Sequence, residues 1–237
     1  VEGLKAQVVP ESPEGTRTML PSVDAPEFFD PSAQPILEAV SVDKPTLLKP
    51  EGDKRGRIGL IDCGVKWNIV RQLLALGVEV ELLPWDDDFL GRDYDGWLIS
   101  NGPGDPEKTG ALVERVRGLL TREKPVLGIC LGHQILSLAA GAKTTRMSYG
   151  HRSHNQPAYL VGPRKGYITS QNHGYVVEPD TLEKGWVPWF RNVNDDTVEG
   201  IRHENLPYRS VQFHPEAAGG PRDTAWVLQE FVERVAH

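Results

Sequence analysis

From Arg57 onward, short apolar runs alternate with amphipathic stretches, and this alternation constrains the fold more than any other feature of the chain. The run RIGLID at 57–62 indicates a buried strand, and VKWNIVRQLLALG after it has apolar residues at helical spacing. Further strand-like runs are VEVELLP, GWLIS and PVLGI, with the helical pattern ALVERVRGLLTRE before the last of them. The pattern predicts an α/β fold: a doubly wound, largely parallel sheet with flanking helices.

The N-terminal quarter of the chain differs from the rest in composition and in hydrophobic periodicity. Residues 1–54 are rich in proline and charge and have no sustained helical or strand period, so we interpret them as a linker or the remnant of an N-terminal domain. Residues 55–237 are predicted to form one domain, in which 142–213 indicate shorter strands with turns and RDTAWVLQEFVERVA a closing helix. Because the chain begins at Val1 and has no signal peptide pattern, we expect a processed chain or a piece of a longer one.

Composition narrows the function classes. With 237 residues and 39% apolar content, the chain can bury a full core. Its net charge of -7 is spread along the sequence without a dense Lys/Arg tract, so we expect no nucleic-acid partner. No hydrophobic run approaches membrane-spanning length, and we expect no membrane association. Two cysteines are too few for a disulfide framework and suit a reducing, cytoplasmic location.

The segment GICLG places Cys130 between two glycines, where the strand PVLGI stops and the helical pattern LGHQILSLAAG starts. Glycines around a sharp strand-to-helix turn leave space for a strained backbone that projects a nucleophile, as in the G-x-S-x-G elbow of hydrolases. The helix N-terminus also favours negative charge on the sulfur. A lone cysteine is more often a small buried hydrophobe, which is our interpretation of Cys63. For Cys130, the elbow favours a catalytic role.

A thiol nucleophile needs a base and a group that orients that base. Seven histidines are candidates. His214 ends the strand-like run RSVQFH, and Glu216 follows it by two residues, whereas His133 lies on the helix after Cys130 and His203 has polar surroundings typical of a solvated histidine. The position after the strand favours His214 with Glu216, although HPE by its spacing alone is more typical of a surface turn.

The loop NGPGDP, which follows the strand GWLIS, has backbone N–H groups at Gly102 and Gly104 without side chains to block a ligand. Such a loop can supply half of an oxyanion hole, and the N–H of Leu131, directly after the nucleophile, can supply the other half. A simple Gly-Pro turn is the alternative for this motif.

Together and in this order, the motifs NGPGDP, GICLGHQ, SQNHGY and SVQFHPE resemble the class I (triad) glutamine amidotransferases. The segments KWNIVRQLL, RSHNQPAYL, EGIRH and FHPEAAGGPRD are similar to the small subunit, or glutaminase region, of carbamoyl phosphate synthetase. The resemblance covers residues 57–237. It implies the same doubly wound fold, with Cys130 as nucleophile, His214 as general base and acid, and Glu216 orienting His214.

The resemblance also implies a set of glutamine contacts. Gly102, Gly104 and Leu131 would contact the substrate carbonyl region, and Gln134, Asn172, Gly174 and Tyr175 would hold glutamine. The chain departs from the family pattern at His151 and Ser153, where Asn and Gly are more frequent, and at Tyr175, where Phe is frequent. Family members also carry a larger N-terminal domain, of which only the end is expected within residues 1–54.

By resemblance, the substrate is L-glutamine, and the ammonia passes to a carbamoyl phosphate synthetase large subunit or fused synthetase domain that uses ATP and bicarbonate. The chain itself has no P-loop, and we expect no cofactor and no metal in it. Two alternatives stay open: an amidotransferase of an anthranilate, GMP or CTP synthase, and a catalytically idle regulatory or assembly subunit. Whether the product enters arginine or pyrimidine synthesis is equally open.

Overall fold

The computed structural model describes residues 36–236, so most of the predicted linker, residues 1–35, lies outside the described residues. The helices are α1 Leu37–Val40, α2 Trp67–Ala75, α3 Gly110–Leu119, α4 Leu131–Ala139 and α5 Trp226–Val235. The strands are β1 Thr46–Leu48, β2 Gly56–Asp62, β3 Val78–Pro84, β4 Gly96–Ile99, β5 Val126–Ile129, β6 Lys143–Leu160, β7 Gly166–Glu178, β8 Trp186–Asn192, β9 Val198–His203 and β10 Tyr208–Val211. None of the described helices has the length and apolar character needed to cross a membrane.

These strands form one sheet in the order β1-β3-β2-β4-β5-β10-β9-β7-β6-β8. Its centre, from β3 to β10, is parallel. β1 adds to one edge antiparallel, and β6, β7, β8 and β9 extend the other side antiparallel. The predicted α/β fold with a doubly wound parallel sheet is confirmed, and it continues into an antiparallel extension.

Alternation along the parallel strands separates two apolar cores. Leu98 on β4 points to the face covered by α2 and α5, while its neighbours Trp97 and Ile99 point to the face covered by α3 and α4. Both faces of β4 and β5 are buried, so these strands carry continuous apolar runs, as is typical of central parallel strands. Because the central strands are parallel, their carboxyl ends lie at one edge of the sheet.

The antiparallel extension corrects one expectation. Residues 142–213 were predicted to form shorter strands, but β6 spans 18 residues and β7 spans 13. The pairing of β6 with β7 changes register between Arg146 and His151 and again between Ser153 and Gln156. Such irregularities break the period-2 pattern by which long strands are recognised in a sequence.

The segment before Arg57 also contributes to the sheet. β1 pairs with β3 along Thr46–Leu48, and the side chain of Leu37 is 6% exposed in the core beside α3 and α4. The Val42 N–H donates to Asp62 Oδ2 over 3.0 Å. These elements were not predicted from the sequence, because an edge strand is held by backbone pairing and needs no apolar period. The domain boundary after residue 54 stays a prediction.

Candidate active site

Cys130 occupies the turn between β5 and α4, with φ 54° and ψ -104°. This left-handed backbone costs a residue other than glycine about 1–3 kcal/mol, so the surrounding packing must hold it. A Cβ on Gly128 would collide with the carbonyl of Gly132, and a Cβ on Gly132 would collide with the carbonyl of Ile99. The Cys130 N–H donates to Val211 O over 2.9 Å. The turn therefore has the geometry of a nucleophile elbow.

His214 and Glu216 follow β10, the strand that pairs with β5, so they lie at the same carboxyl edge as Cys130. His214 Nδ1 donates to Glu216 Oε1 over 2.7 Å, and the Cys130 side chain interacts with the same ring and raises its pKa. Cys130, His214 and Glu216 are 6%, 4% and 1% exposed. The structure thus connects the three predicted side chains in the order sulfur, imidazole, carboxylate.

The charges of this trio depend on one another. Burial alone lowers the pKa of His214, but the charge of Cys130 and hydrogen bonds to Cys130 and Glu216 outweigh it and raise the pKa to about 9. Burial raises the pKa of Glu216, yet the hydrogen bond and charge of His214, with the charge of Lys66, hold it below its ordinary value. Near neutral pH, the imidazole is therefore protonated beside an ionised carboxylate.

Helix α2 and the residue before it contact His214 and Glu216 of the trio. These contacts were not predicted from the sequence. Lys66 Nζ, just before the helix, lies 3.2 Å from His214 Nδ1 and 3.5 Å from Glu216 Oε1. The Asn68 side-chain amide donates to the backbone carbonyl of Glu216, and Gln72 Nε2 donates to the same oxygen over 3.2 Å. Asn68 and Gln72 are four residues apart, so they share one helix face. Polar residues at that spacing are usually taken for a solvated face.

An open cavity of about 780 Å³ lies in front of Cys130, within the about 300–1,000 Å³ typical of ligand sites. Most of the predicted site residues line it: Gly102, Gly104, Cys130, Gln134, Asn172, Gly174, Tyr175 and His214. The other two predicted residues adjoin it, since Leu131 follows Cys130 at the first position of α4 and Glu216 hydrogen-bonds His214. The structure therefore gathers the whole predicted set around one cavity.

The glycine loop forms one wall of this cavity. A Cβ on Gly102 would collide with the carbonyl of Cys63, and Gly104 has φ 102°, which favours glycine. Asn101 anchors the loop, because its Nδ2 donates to Gly64 O over 3.0 Å and its Oδ1 accepts from the Lys66 N–H over 3.0 Å. The N–H of Leu131, in the first turn of α4, has no acceptor within its helix.

Strand β7 forms the opposite wall. The Asn172 carbonyl oxygen lies 4.0 Å from Cys130 Sγ. Gln134 connects α4 to this wall, because its Nε2 donates to Tyr175 O over 3.2 Å and to Gln212 Oε1 over 3.0 Å. These bonds use both amide hydrogens, so any further hydrogen bond of Gln134 uses its carbonyl oxygen.

The cavity is also cationic, a property that was not predicted from the sequence. Lys66, Arg146 and Arg152 line it, and none of the described lining residues is acidic. Arg152 lies beside Gly150 and Gly174, where the absence of side chains leaves room for its guanidinium. A cavity of this charge favours a ligand that carries a carboxylate.

The other cysteine, Cys63, and the histidine on α4, His133, do not line the cavity. Cys63 is fully buried, and burial followed by the charge of Asp62 raises its thiol pKa far above the ordinary value. His133 is also fully buried, and burial lowers its pKa to about 3. Its Nδ1 lies 2.8 Å from Ser210 Oγ. Both side chains are packed in the interior. For Cys63, this agrees with its interpretation as a small buried hydrophobe.

Fold and site define a class: an α/β domain with a cysteine at a nucleophile elbow, at the carboxyl edge of a parallel sheet. Within this class, the sequence matches the family model of glutamine amidotransferase class-I over residues 59–234. The chain belongs to this family. The resemblance inferred from the four ordered motifs is confirmed.

Similar proteins refine this placement. The chain is 46% identical to "Multifunctional protein URA2" of Saccharomyces cerevisiae over 90% of its own length, but this is 10% of that protein. It is 44% identical to "Carbamoyl phosphate synthase arginine-specific small chain" of Phaeosphaeria nodorum, over 88% of this chain and 44% of that protein. The chain thus spans less than half the length of these relatives.

A solved structure supports the fold independently. A putative GMP synthase component from Thermoplasma acidophilum superposes with a TM-score of 0.66, covering 78% of this chain and 96% of that one. The two sequences are 23% identical. At this identity the similarity concerns the fold alone.

Proposed function

We propose that this chain hydrolyses glutamine to glutamate and ammonia, and that it supplies the ammonia to a carbamoyl phosphate synthetase. One observation carries the proposal: the buried trio in which the Cys130 side chain interacts with His214, and His214 hydrogen-bonds Glu216, at the edge of a cationic cavity. Family membership supports glutamine as the substrate.

In the proposed reaction, the Cys130 sulfur attacks the side-chain amide carbon of glutamine. The tetrahedral intermediate collapses to a glutamyl thioester, and His214 donates a proton to the nitrogen that leaves as ammonia. Water then attacks the thioester while His214 takes its proton, and the second tetrahedral intermediate breaks its C–S bond, which releases glutamate and leaves the Cys130 sulfur beside the protonated imidazole. Glu216 keeps the imidazole oriented through the 2.7 Å bond to Nδ1.

The walls of the cavity supply the binding groups of this proposal. The N–H groups of Gly104 and Leu131 would stabilise the negative oxygen of the tetrahedral intermediate. The glutamine carboxylate would pair with the cationic side of the cavity, where Arg146 and Arg152 lie. The carbonyl oxygen of Gln134 and the carbonyls of β7 can accept hydrogen bonds from the glutamine ammonium.

The proposed partner is a carbamoyl phosphate synthetase large subunit or a fused synthetase domain. The names of the relatives support this choice, since they include both multifunctional proteins and arginine-specific small chains. Residues 55–237 would be the glutaminase domain, and residues 1–54, of which α1 and β1 pack onto this domain, would connect it to a preceding domain. Cys63 and Cys130 are both free thiols, as a cytoplasmic location favours.

The test measures glutamate release from glutamine by the purified chain, beside a Cys130→Ala variant, with and without an added carbamoyl phosphate synthetase large subunit. We expect release that is absent in the variant and that rises with the large subunit. Release that is unaffected by the large subunit would contradict the partner and favour an amidotransferase of another synthetase. No release in any mixture would contradict the enzymatic proposal and favour an idle assembly subunit.

A further inference from the structure

A buried cluster of two histidines and a glutamate lies in the antiparallel extension, outside the catalytic trio, and its member His173 also lines the cavity in front of Cys130. His151 on β6 is paired directly with His173 on β7, and the two rings meet edge to face with centroids 4.9 Å apart. Glu199 on β9 completes the cluster from the neighbouring strand. The exposed fractions are 9%, 6% and 0%. Three strands therefore bring together, in the interior, three side chains of the types that bind metal ions.

The donor atoms of this cluster have the spacing of a metal site. His151 Nδ1 lies 3.1 Å from Glu199 Oε1, and His173 Nε2 lies 3.9 Å from Glu199 Oε2. One ligand atom from each of the three residues falls within 4.8 Å of the others. Ligands about 2.0–2.2 Å from a tetrahedral zinc ion stand about 3.3–3.5 Å apart, so small side-chain movements would complete such a site.

The outer partners of the two histidines also match a metal site. His151 Nε2 lies 2.9 Å from Asp195 Oδ2, and His173 Nδ1 lies 2.9 Å from the backbone carbonyl of Tyr175. A carboxylate or carbonyl on the far nitrogen fixes the ring orientation and increases the basicity of the nitrogen that faces the metal. In each ring, one nitrogen thus faces Glu199, and the other nitrogen has an oxygen partner outside the cluster.

Glu199 supplies independent evidence. Its Oε2 is buried and has no hydrogen-bond partner among the described residues, although its Oε1 accepts from Asn192 over 2.9 Å. A buried carboxyl oxygen without a donor is costly in the interior unless a cation lies beside it, and His151 Nδ1 faces Oε1 of Glu199, not Oε2. Gln171 Oε1, 3.0 Å from His173 Nε2, adds a neutral oxygen at the same place.

We propose that His151, His173 and Glu199 bind a divalent transition-metal ion of the zinc class. Two imidazole nitrogens with one carboxylate favour Zn²⁺ over Mg²⁺ or Ca²⁺, which prefer all-oxygen sites. Gln171 Oε1 or a water would provide the fourth ligand. The ion would join β6, β7 and β9 and so stiffen the wall that carries Asn172. The site does not depend on glutamine hydrolysis, and it departs from the sequence-based expectation of no metal.

The test is zinc binding by the whole chain of 237 residues in a Cys130→Ala background, because a thiol and an imidazole, as in Cys130 and His214, are ligand types that zinc also accepts. The chelator-treated protein is dialysed against Zn²⁺, and bound metal is counted by mass spectrometry. We expect one ion per chain, a Tm that rises with Zn²⁺, and with Co²⁺ the intense visible absorption of a tetrahedral site.

Variants then locate the ion. His151→Asn and Glu199→Gln keep side chains of similar size, and each is expected to weaken zinc binding at least tenfold. His154→Asn is the matched control, since His154 is exposed on the same strand and outside the cluster, and it should bind zinc like the parent. Absence of stoichiometric zinc in the folded parent chain overturns the proposal regardless of how the variants fold. Unchanged affinity in both ligand variants overturns it as well.

Discussion

The parallel centre of the sheet and its antiparallel extension differ in strand pairing, in burial and in the groups that they bring to the cavity. In the centre, β4 and β5 are buried on both faces, and their carboxyl ends present Cys130 and the glycine loop. In the extension, β6 is largely exposed and irregular, and its inner face with β7 carries buried polar groups. The comparison supports the proposal that the centre supplies the catalytic groups and one wall of the cavity, while the extension supplies the opposite wall.

The largest effect is expected from a substitution in the trio at the edge of the parallel centre. His214→Asn removes the proposed proton-transfer group, so kcat for glutamine hydrolysis should fall about 10²–10⁴-fold. His154→Asn on the extension should leave kcat unchanged, because His154 lies outside the predicted trio. Steady-state kinetics of both variants decide the matter. Comparable losses in the two variants would contradict the assignment of chemistry to the parallel centre.

The next effect concerns the packing of the elbow. Gly132→Ala places a Cβ against the carbonyl of Ile99, and overpacking against backbone should lower the free energy of unfolding by about 1–3 kcal/mol. Gly110→Ala is the matched helical control, since a Cβ there meets nothing within 4 Å, and it should stabilise by about 0.4–1 kcal/mol. Urea denaturation measures both. Equal stabilities for the two variants would show that the elbow is not tightly packed.

A smaller effect is expected from the extension. Asn172→Ala removes an exposed side chain from the cavity wall, and the loss of one hydrogen bond to charged substrate should raise the glutamine KM about tenfold. The kcat should change much less. Asn155→Ala, an exposed amide on β6 away from the cavity, is the control. A fall in kcat at constant KM would place Asn172 in the chemistry and remove the distinction between the regions.

The smallest effect tests the coupling within the trio. Since charge on Cys130 is the leading cause that raises the pKa of His214 to about 9, Cys130→Ala should lower that pKa, as followed by NMR titration. A folded-state pKa above the unfolded value of about 6.5 contributes stability fully present below pH 6.5. That contribution is lost as pH rises through about 9. Its alkaline loss should therefore be smaller in Cys130→Ala, and a His214 pKa that is unchanged in the variant would contradict the coupling.

The elements that could be predicted from the sequence are those whose packing requires a recognisable local pattern of residues. The parallel strands were predictable because burial on both faces demands continuous apolar runs such as GWLIS. The elbow was predictable because a strained turn packed against backbone requires glycines at fixed spacing, as Gly128 and Gly132 show. The long strands β6 and β7 were not, since register shifts and polar inner residues remove the alternating pattern.

The sequence by itself determined the α/β class, the elbow at Cys130 and the candidates His214 and Glu216, because each depends on residues close together in the chain. The tertiary structure alone decided which distant groups meet. Lys66, Asn68 and Gln72 reach His214 and Glu216 only through the packing of α2 on the sheet. Likewise, His151, His173 and Glu199 come together only through strand order and register, which local propensity does not encode.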